Sequence, residues 1–136
     1  MSSVVDYPLP QPAMISSPFN DPRRPYKHRG VDLVAPTGTL VLSSIEGQVT
    51  TAGWYGSYGK TVVIKSSNRK VLYAHLSEVL VKIGQSVRKG EPVGKVGSTG
   101  RSTGPHLHWE KKIKQNGRWF FVDPMKQLEE SNSAVR

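Results

Sequence analysis

Short runs rich in Val, Ile, Leu and Thr, separated at close spacing by turn residues, fill most of this chain and point to a nearly all-β fold. Leu40-Val41-Leu42, Gln48-Val49-Thr50-Thr51-Ala52, Thr61-Val62-Val63-Ile64-Lys65 and Lys70-Val71-Leu72-Tyr73-Ala74 each read as a strand, and Ser66-Ser67-Asn68-Arg69 reads as the hairpin turn between the last two. Valine and glycine then recur every third residue through Val81, Gly84, Val87, Gly90 and Val93, which predicts a tight pair of short strands with glycines at the corners. A chain of 136 residues suits one domain with one modest core. The expectation is a single small antiparallel β-domain over residues 17–126. An extended segment, 1–16, with prolines at 8, 10 and 12, wraps it as a strap, and a tail, 127–136, follows. A helix is expected only at the end, where Asp123 can cap Pro124 to Glu130 and proline suits the first helical position.

All four histidines fall in three short motifs: His28-Arg29-Gly30-Val31-Asp32, Leu72-Tyr73-Ala74-His75-Leu76 and Pro105-His106-Leu107-His108-Trp109-Glu110. A strand would put His106 and His108 on one face and Leu107 on the other, so that one histidine can bind metal while its neighbour faces a substrate. The spacing of His28 and Asp32 also suits a helix, but Pro25, Gly30 and Pro36 disfavour one there. Fully extended, their Cα atoms would stand roughly 13 Å apart at about 3.3 Å per residue, so the chain has to bend, and Gly30 is expected to permit the bend. Each motif alone has a plainer reading: a partly exposed histidine pair, a hydrogen-bonded histidine at a strand end, a loop ion pair. Together they supply the nitrogen and oxygen donors of a catalytic zinc site, which usually holds about three protein ligands and keeps one position for water. The chain has no cysteine, so thiolate ligands and disulfides are excluded. No His-Glu-x-x-His helix is present either.

The whole pattern resembles the lysostaphin-type zinc endopeptidases of the bacterial cell wall, from about Ser17 to Pro124. The matching features are Ser17-Pro18-Phe19, His28 with Asp32, Ala35-Pro36-Thr37-Gly38-Thr39, Gly47-Gln48-Val49, Tyr58-Gly59-Lys60-Thr61-Val62-Val63-Ile64 and Tyr73-Ala74-His75-Leu76, in that order. The unbroken run from Gly97 through Gly104-Pro105-His106-Leu107-His108 is the strongest match, and Asp123-Pro124 closes the domain. Lys60 departs from the family, where many members carry Asn; the difference is expected to touch the surface and not the chemistry. The resemblance implies a lysostaphin-type β architecture and one Zn2+ per chain held by His28, Asp32 and His108, with His75 and His106 as the catalytic histidines that do not bind it. Zinc polarises a scissile carbonyl and activates water, while a neutral imidazole takes a proton and an imidazolium steadies the oxyanion or protonates the leaving amine. The sequence does not say which of His75 and His106 does which. The small residues of 97–104, among them Thr99, Ser102 and Thr103, are expected to wall a substrate groove whose other rim is Trp54, Tyr55 and Tyr58. Trp109, Trp119, Phe120 and Phe121 are expected to pack in the core or between strands. Asn20 and Asp21 are weak candidates for a plug over the zinc, because the segment before them is short.

The function implied is hydrolysis of peptide bonds in peptidoglycan stems or cross-links, with the direct D-Ala cross-link as the expected bond; the alternative is a wall-binding, activating or structural module of the same fold. The 81–93 stretch is also similar to the hammerhead hairpin of biotinyl and lipoyl carrier domains, but no lysine in a Met-Lys-Met-like or Asp-Lys-Ala-like setting accompanies it. A net charge of +9 draws the surface toward polyanions such as anionic wall polymers or lipid head groups. No nucleic-acid-binding signature accompanies that charge, so no specific nucleic-acid partner is expected. The N-terminal residues lack the basic start and apolar run of a signal peptide, and no membrane span is legible. Action at the cell wall or periplasm is then expected of a monomeric, bacteriolytic phage lysin released from the host cytoplasm, a virion component, or a piece of a larger exported protein.

Overall fold

The computed structural model describes residues 6–22 and 27–126. Its strands are β1 (Ile15–Ser17), β2 (Gly30–Val34), β3 (Leu40–Leu42), β4 (Gly47–Trp54), β5 (Lys60–Lys65), β6 (Arg69–Val79), β7 (Ser86–Val87), β8 (Pro92–Val96), β9 (His106–Gln115) and β10 (Arg118–Val122), with one 3-10 turn at Gly56–Tyr58. They form one antiparallel sheet in the order β1-β2-β9-β6-β5-β4-β7, with β10 beside β9 and β8 bridging β3 and β6. β9 is its axis. One edge pairs with β6, and the other is shared end to end: β2 takes residues 106–110 and β10 takes residues 111–115.

Alternation along the strands decides which face is core. Val31 and Leu33, Leu107 and Trp109, Val71 and Tyr73, and Val62 and Ile64 point to one side and are almost wholly buried in a single cluster. Val41, Val87, Val93 and Val96 complete that cluster from β3, β7 and β8. Each buried aliphatic side chain contributes about 1.5–3 kcal/mol over an exposed one, and a chain with no cysteine rests on that burial. Residues 7–9 pack against the sheet: Leu9 is buried in the core, the Tyr7 ring meets Trp109 edge-on at 6.2 Å, and the Leu42 N–H donates to the Pro8 carbonyl at 2.7 Å.

Tyr73 shows how a polar group is admitted to this core. It is fully buried, and its hydroxyl accepts the Ser44 N–H at 2.7 Å and lies 2.9 Å from Ser44 Oγ. Tyr73→Phe leaves that buried N–H without an acceptor and is expected to cost about 1–3 kcal/mol in denaturant unfolding, with little effect on the cleft described below.

Three expectations are revised. Gly84 and Gly90 do turn corners, with φ of 93° and 89°, but β7 and β8 do not pair with each other. β7 joins β4, and β8 joins β3 and β6, because the intervening turns send the two short strands to opposite parts of the sheet. At the end, Asp123 Oδ1 accepts the Met125 N–H at 3.0 Å, as a cap does, yet residues 123–126 form a turn; the rest of the expected helix lies outside the described residues. Of the aromatic residues assigned to packing, Trp109 alone joins the core; Trp119 and Phe121 lie on β10 under cationic side chains, and Phe120 is exposed.

Candidate metal centre and catalytic cleft

The register of β2, β9 and β6 assembles the site. Asp32 lies directly opposite His108 across the β2–β9 pair, Val34 opposite His106, and Gly30 opposite Glu110. Residues directly opposite share a face, so His106, His108 and Glu110 stand with Asp32 on the side away from Leu107 and Trp109. On the other edge of β9, Ala74 of β6 faces His108. Its small side chain leaves the imidazole space.

Gly30 has a different reason from the one expected. It does not adopt the left-handed backbone, and its strand begins where it stands. A Cβ there would lie 2.4 Å from the Trp109 carbonyl oxygen and 2.9 Å from the Glu110 side chain. Close approach to β9, not a bend, demands glycine. His28 reaches Asp32 from the loop before β2, where its N–H donates to the Asp21 carbonyl at 2.9 Å and its carbonyl accepts the Asn20 N–H at 2.8 Å.

His75 reaches the cleft through a bulge. Alternation after Tyr73 (core) and Ala74 (cleft) would return its side chain to the core. Instead it takes φ 61°, uncommon for a residue other than glycine. The pairing of β5 with β6 slips between Val62↔Tyr73 and Lys60↔Leu76, and β6 changes partner from β9 to β8 at the same point. The extra residue turns the imidazole into the cleft, the re-aiming that bulges beside functional sites provide.

The resulting donors lie within reach of one ion. His28 Nε2 is 3.3 Å from His108 Nδ1 and 3.5 Å from Asp32 Oδ1, and His108 Nδ1 is 2.8 Å from Asp32 Oδ1. Ligands about 2.0–2.1 Å from a tetrahedral zinc stand about 3.3 Å apart, so two imidazole nitrogens and one carboxylate oxygen fit that ion in both spacing and type. Each histidine of this cluster is held from behind. The His28 Nδ1 proton points to the Pro18 carbonyl at 3.1 Å and to Ser17 Oγ at 3.0 Å, and Ser17 in turn donates to Asp21 at 2.9 Å. His108 Nε2 donates to Glu110 Oε2 at 2.8 Å, and that oxygen also accepts the Tyr58 hydroxyl at 2.6 Å. Asp21 thus stands behind His28, linked to it through Ser17.

Burial by itself would lower the pKa of His108, but hydrogen bonds and charge from Asp32 and Glu110 outweigh it and push it up to about 9. A metal taking Nδ1 must displace that proton. Burial opposes ionisation of Asp32 and Glu110 as well; their bonds to His108, helped by His28 for Asp32 and by Tyr58 for Glu110, hold both carboxyls below the ordinary range.

The other two histidines share one arrangement. His75 Nδ1 donates to the Thr99 carbonyl at 2.8 Å, and His106 Nδ1 to the Gly104 carbonyl at 2.9 Å. Each thus turns its Nε2 away from that carbonyl. Their ring centroids are 5.0 Å apart, and His75 is 6.0 Å from the His108 ring. His106 Nε2 lies 3.8 Å from Asp32 Oδ1. Burial, then the nearby His106 and His108, lowers the pKa of His75.

These groups line a cleft of about 820 Å³. Tyr58, Ser102 and Thr103 lie in its wall, with Arg29 and Arg101 beside them. Trp54, Tyr55 and Thr99 do not line it. Trp54 is exposed, Tyr55 stacks behind Tyr58 at 5.7 Å, and Thr99 serves from behind through the carbonyl that orients His75. Glu110 is the functional residue left unassigned by the sequence reading. The signal was there: on a strand, the alternation that pairs His106 with His108 carries on to Glu110.

Residues 26–120 match Peptidase family M23. The chain is 43% identical over 116 residues to the peptidoglycan DD-endopeptidase ShyA of Vibrio cholerae, covering 79% of this chain and 27% of ShyA. It superposes on a zinc-containing peptidase from Vibrio cholerae with a TM-score of 0.79 at 33% identity, covering 92% of this chain and 40% of that one. The catalytic domain of lysostaphin from Staphylococcus simulans gives a TM-score of 0.65 at 29% identity, with 85% of each chain covered. The chain spans about a quarter of the length of the curated relatives it matches.

Proposed function

The chain belongs to peptidase family M23, and on that footing we propose that it is a zinc-dependent endopeptidase that hydrolyses peptide bonds of peptidoglycan at the bacterial cell wall. The carrying observation is that the three donors and the Nε2 atoms of His75 and His106 share one cleft. His28 Nε2, Asp32 Oδ1 and His108 Nδ1 would hold the ion. Zinc there supplies a Lewis acid that polarises the scissile carbonyl and acidifies water.

The chain's own groups handle the protons. His75, oriented by the Thr99 carbonyl and kept neutral by burial, is the base: its Nε2 takes a proton from the attacking water as the carbon–oxygen bond forms. His106, whose Nε2 lies 3.8 Å from Asp32 Oδ1, is the partner group: as an imidazolium it steadies the oxyanion and gives a proton to the leaving amine as the carbon–nitrogen bond breaks. Tyr58, Ser102 and Thr103 bound the path of the peptide. The DD-endopeptidase name of the ShyA relative supports a bond between two D-configured residues, here the direct D-Ala cross-link. No helix among the described residues is long and apolar enough to cross a membrane. The proposed settings are a lysin released from a host cytoplasm, a virion component, or part of a larger exported protein.

The test is mass spectrometry of fragments released from diaminopimelate-type and glycine-bridged sacculi, each with and without a zinc chelator. Chelator-sensitive release with new termini at D-Ala is expected. Retention on sacculi without release would assign the chain to the binding-module alternative.

Glu110→Gln provides a finer check. It removes the negative charge behind His108 while keeping an amide of similar shape. Zinc affinity is expected to fall about tenfold, measured by competition with a chromogenic chelator, as substitution of outer hydrogen-bond partners of metal-binding histidines commonly does.

A further inference from the structure

The face of β9 that carries the metal donors continues past them. After His106, His108 and Glu110, the next side chains on that face are Lys112 and Lys114. Lys70 of β6 lies opposite Lys112, Lys65 of β5 opposite Lys70, and on β10 Phe121 and Trp119 lie opposite Lys112 and Lys114. Four lysines and two aromatic rings thus form a patch in line with the cleft. The Lys70 ammonium sits 4.8 Å from the Trp119 ring centre and that of Lys112 4.7 Å from Phe121, while Lys65 and Lys114 approach Trp119 at 5.8 and 5.7 Å. Ring faces hold an ammonium in place without neutralising it, so its N–H groups stay available to an anion.

Like charges directly opposite on neighbouring strands are destabilising, and none of the four lysines has a carboxylate within ion-pair distance among the described residues. Burial, then Lys112 and Lys65, lowers the pKa of Lys70. Glu110 is the nearest carboxylate along β9, but its Oε2 is engaged by His108 and Tyr58. Between the patch and the cleft lies a second cavity of about 170 Å³, lined by Thr50, Thr51, Tyr55, Lys70 and Lys112, with Glu110 as the wall it shares with the cleft.

We propose that this cavity and the lysines around it bind a free carboxylate of the peptidoglycan stem peptide whose scissile bond lies in the cleft. The proposal rests on the endopeptidase reading above. Four residue steps of extended strand carry His108 to Lys112, roughly 13 Å at about 3.3 Å per step, the span of an extended tetrapeptide. Stem peptides carry free carboxylates within such a span. The cavity is of a size for one such group, and the wall it shares with the cleft ties its occupant to the molecule being cut. A phosphate polymer held for surface attachment has no need of that shared wall.

The experiment compares the zinc-loaded wild type with two double variants, Lys70→Gln with Lys112→Gln, and Lys70→Arg with Lys112→Arg. The binding probe is the uncross-linked stem tripeptide L-Ala–D-Glu–diaminopimelate, which lacks the D-Ala bond, in free and fully amidated forms. The wild type is expected to bind the free form about tenfold more tightly, the order of one charge-assisted contact, with the advantage shrinking in high salt. The Gln pair loses the preference and the Arg pair keeps it. On the cross-linked dimer, the Gln pair raises KM about tenfold and leaves kcat unchanged. Its melting temperature stays within a few degrees of the wild type, because the lost ring contacts are offset by relief of like-charge crowding. Equal binding of the two tripeptides by the wild type overturns the proposal, as does a preference that survives in the Gln pair. Tighter lysine-dependent binding of polyglycerol phosphate than of the tripeptide overturns it in favour of a wall polymer. Binding needs no hydrolysis, so a dimer that is never cut, alongside an intact carboxylate preference, defeats the endopeptidase reading and leaves this site standing.

Discussion

Replacing His108 with alanine is expected to abolish zinc retention and hydrolysis together. His108 supplies one of three donor atoms, and its other nitrogen is the link through which Glu110 supports the site. Loss of an outer partner costs about 10–100-fold in metal affinity, and loss of the ligand itself is expected to exceed that range. The variant also leaves Asp32 and the buried Glu110 without the imidazole that both now contact, so its metal-free form should be less stable than metal-free wild type. His28→Ala and Asp32→Ala are expected to match it in zinc content and inactivity. Elemental analysis after dialysis, set beside sacculus digestion, checks all three. Stoichiometric zinc in the His108→Ala protein would remove that residue from the ligand set.

His75→Ala is expected to do the opposite with zinc. Metal content stays at one per chain, while kcat/KM falls by about 10²–10⁴, the range for loss of a positioned proton acceptor. In the intact protein the acid limb of the kcat/KM profile should lie below pH 6.5, because the lowered pKa of His75 keeps the ring neutral at pH values where an ordinary histidine is already charged. A limb at or above 6.5 would count against His75 as the base. The backbone supplies a second check. At φ 61° an alanine is strained and a glycine is not. His75→Gly should therefore be about 1 kcal/mol more stable than His75→Ala, the reverse of the usual order within a strand, with both equally inactive.

The cluster of His28, Asp32 and His108 was legible because each residue type is rare in this chain and falls in a short motif, and Leu40–Leu42 was bounded correctly because Gly38 and Ser43-Ser44 flank it. What escaped depends on distant partners. No local pattern shows that β6 exchanges β9 for β8 at His75, so the bulge that turns His75 into the cleft could not be read from Tyr73-Ala74-His75. Gly30 looked like a hinge because a glycine's freedom is visible in a sequence while the carbonyl of Trp109 lying 2.4 Å from its absent Cβ is not. Val81 to Val93 gave the right corners and the wrong pairing for the same reason. Trp54 and Tyr55 were placed on the groove by proximity to Tyr58, yet in a strand and a tight turn neighbours in sequence face different ways.

The opposition of Asp32 and His108 across β2 and β9 joins residues 76 positions apart. A slip of one residue in that pairing would send Asp32 to the far side of the sheet. Such a molecule would keep most of its strands and its circular dichroism, yet have no place for the ion. Zinc stoichiometry thus counts correctly registered molecules, and in a refolding experiment it should rise with the last long-range pairing and lag behind the appearance of β structure.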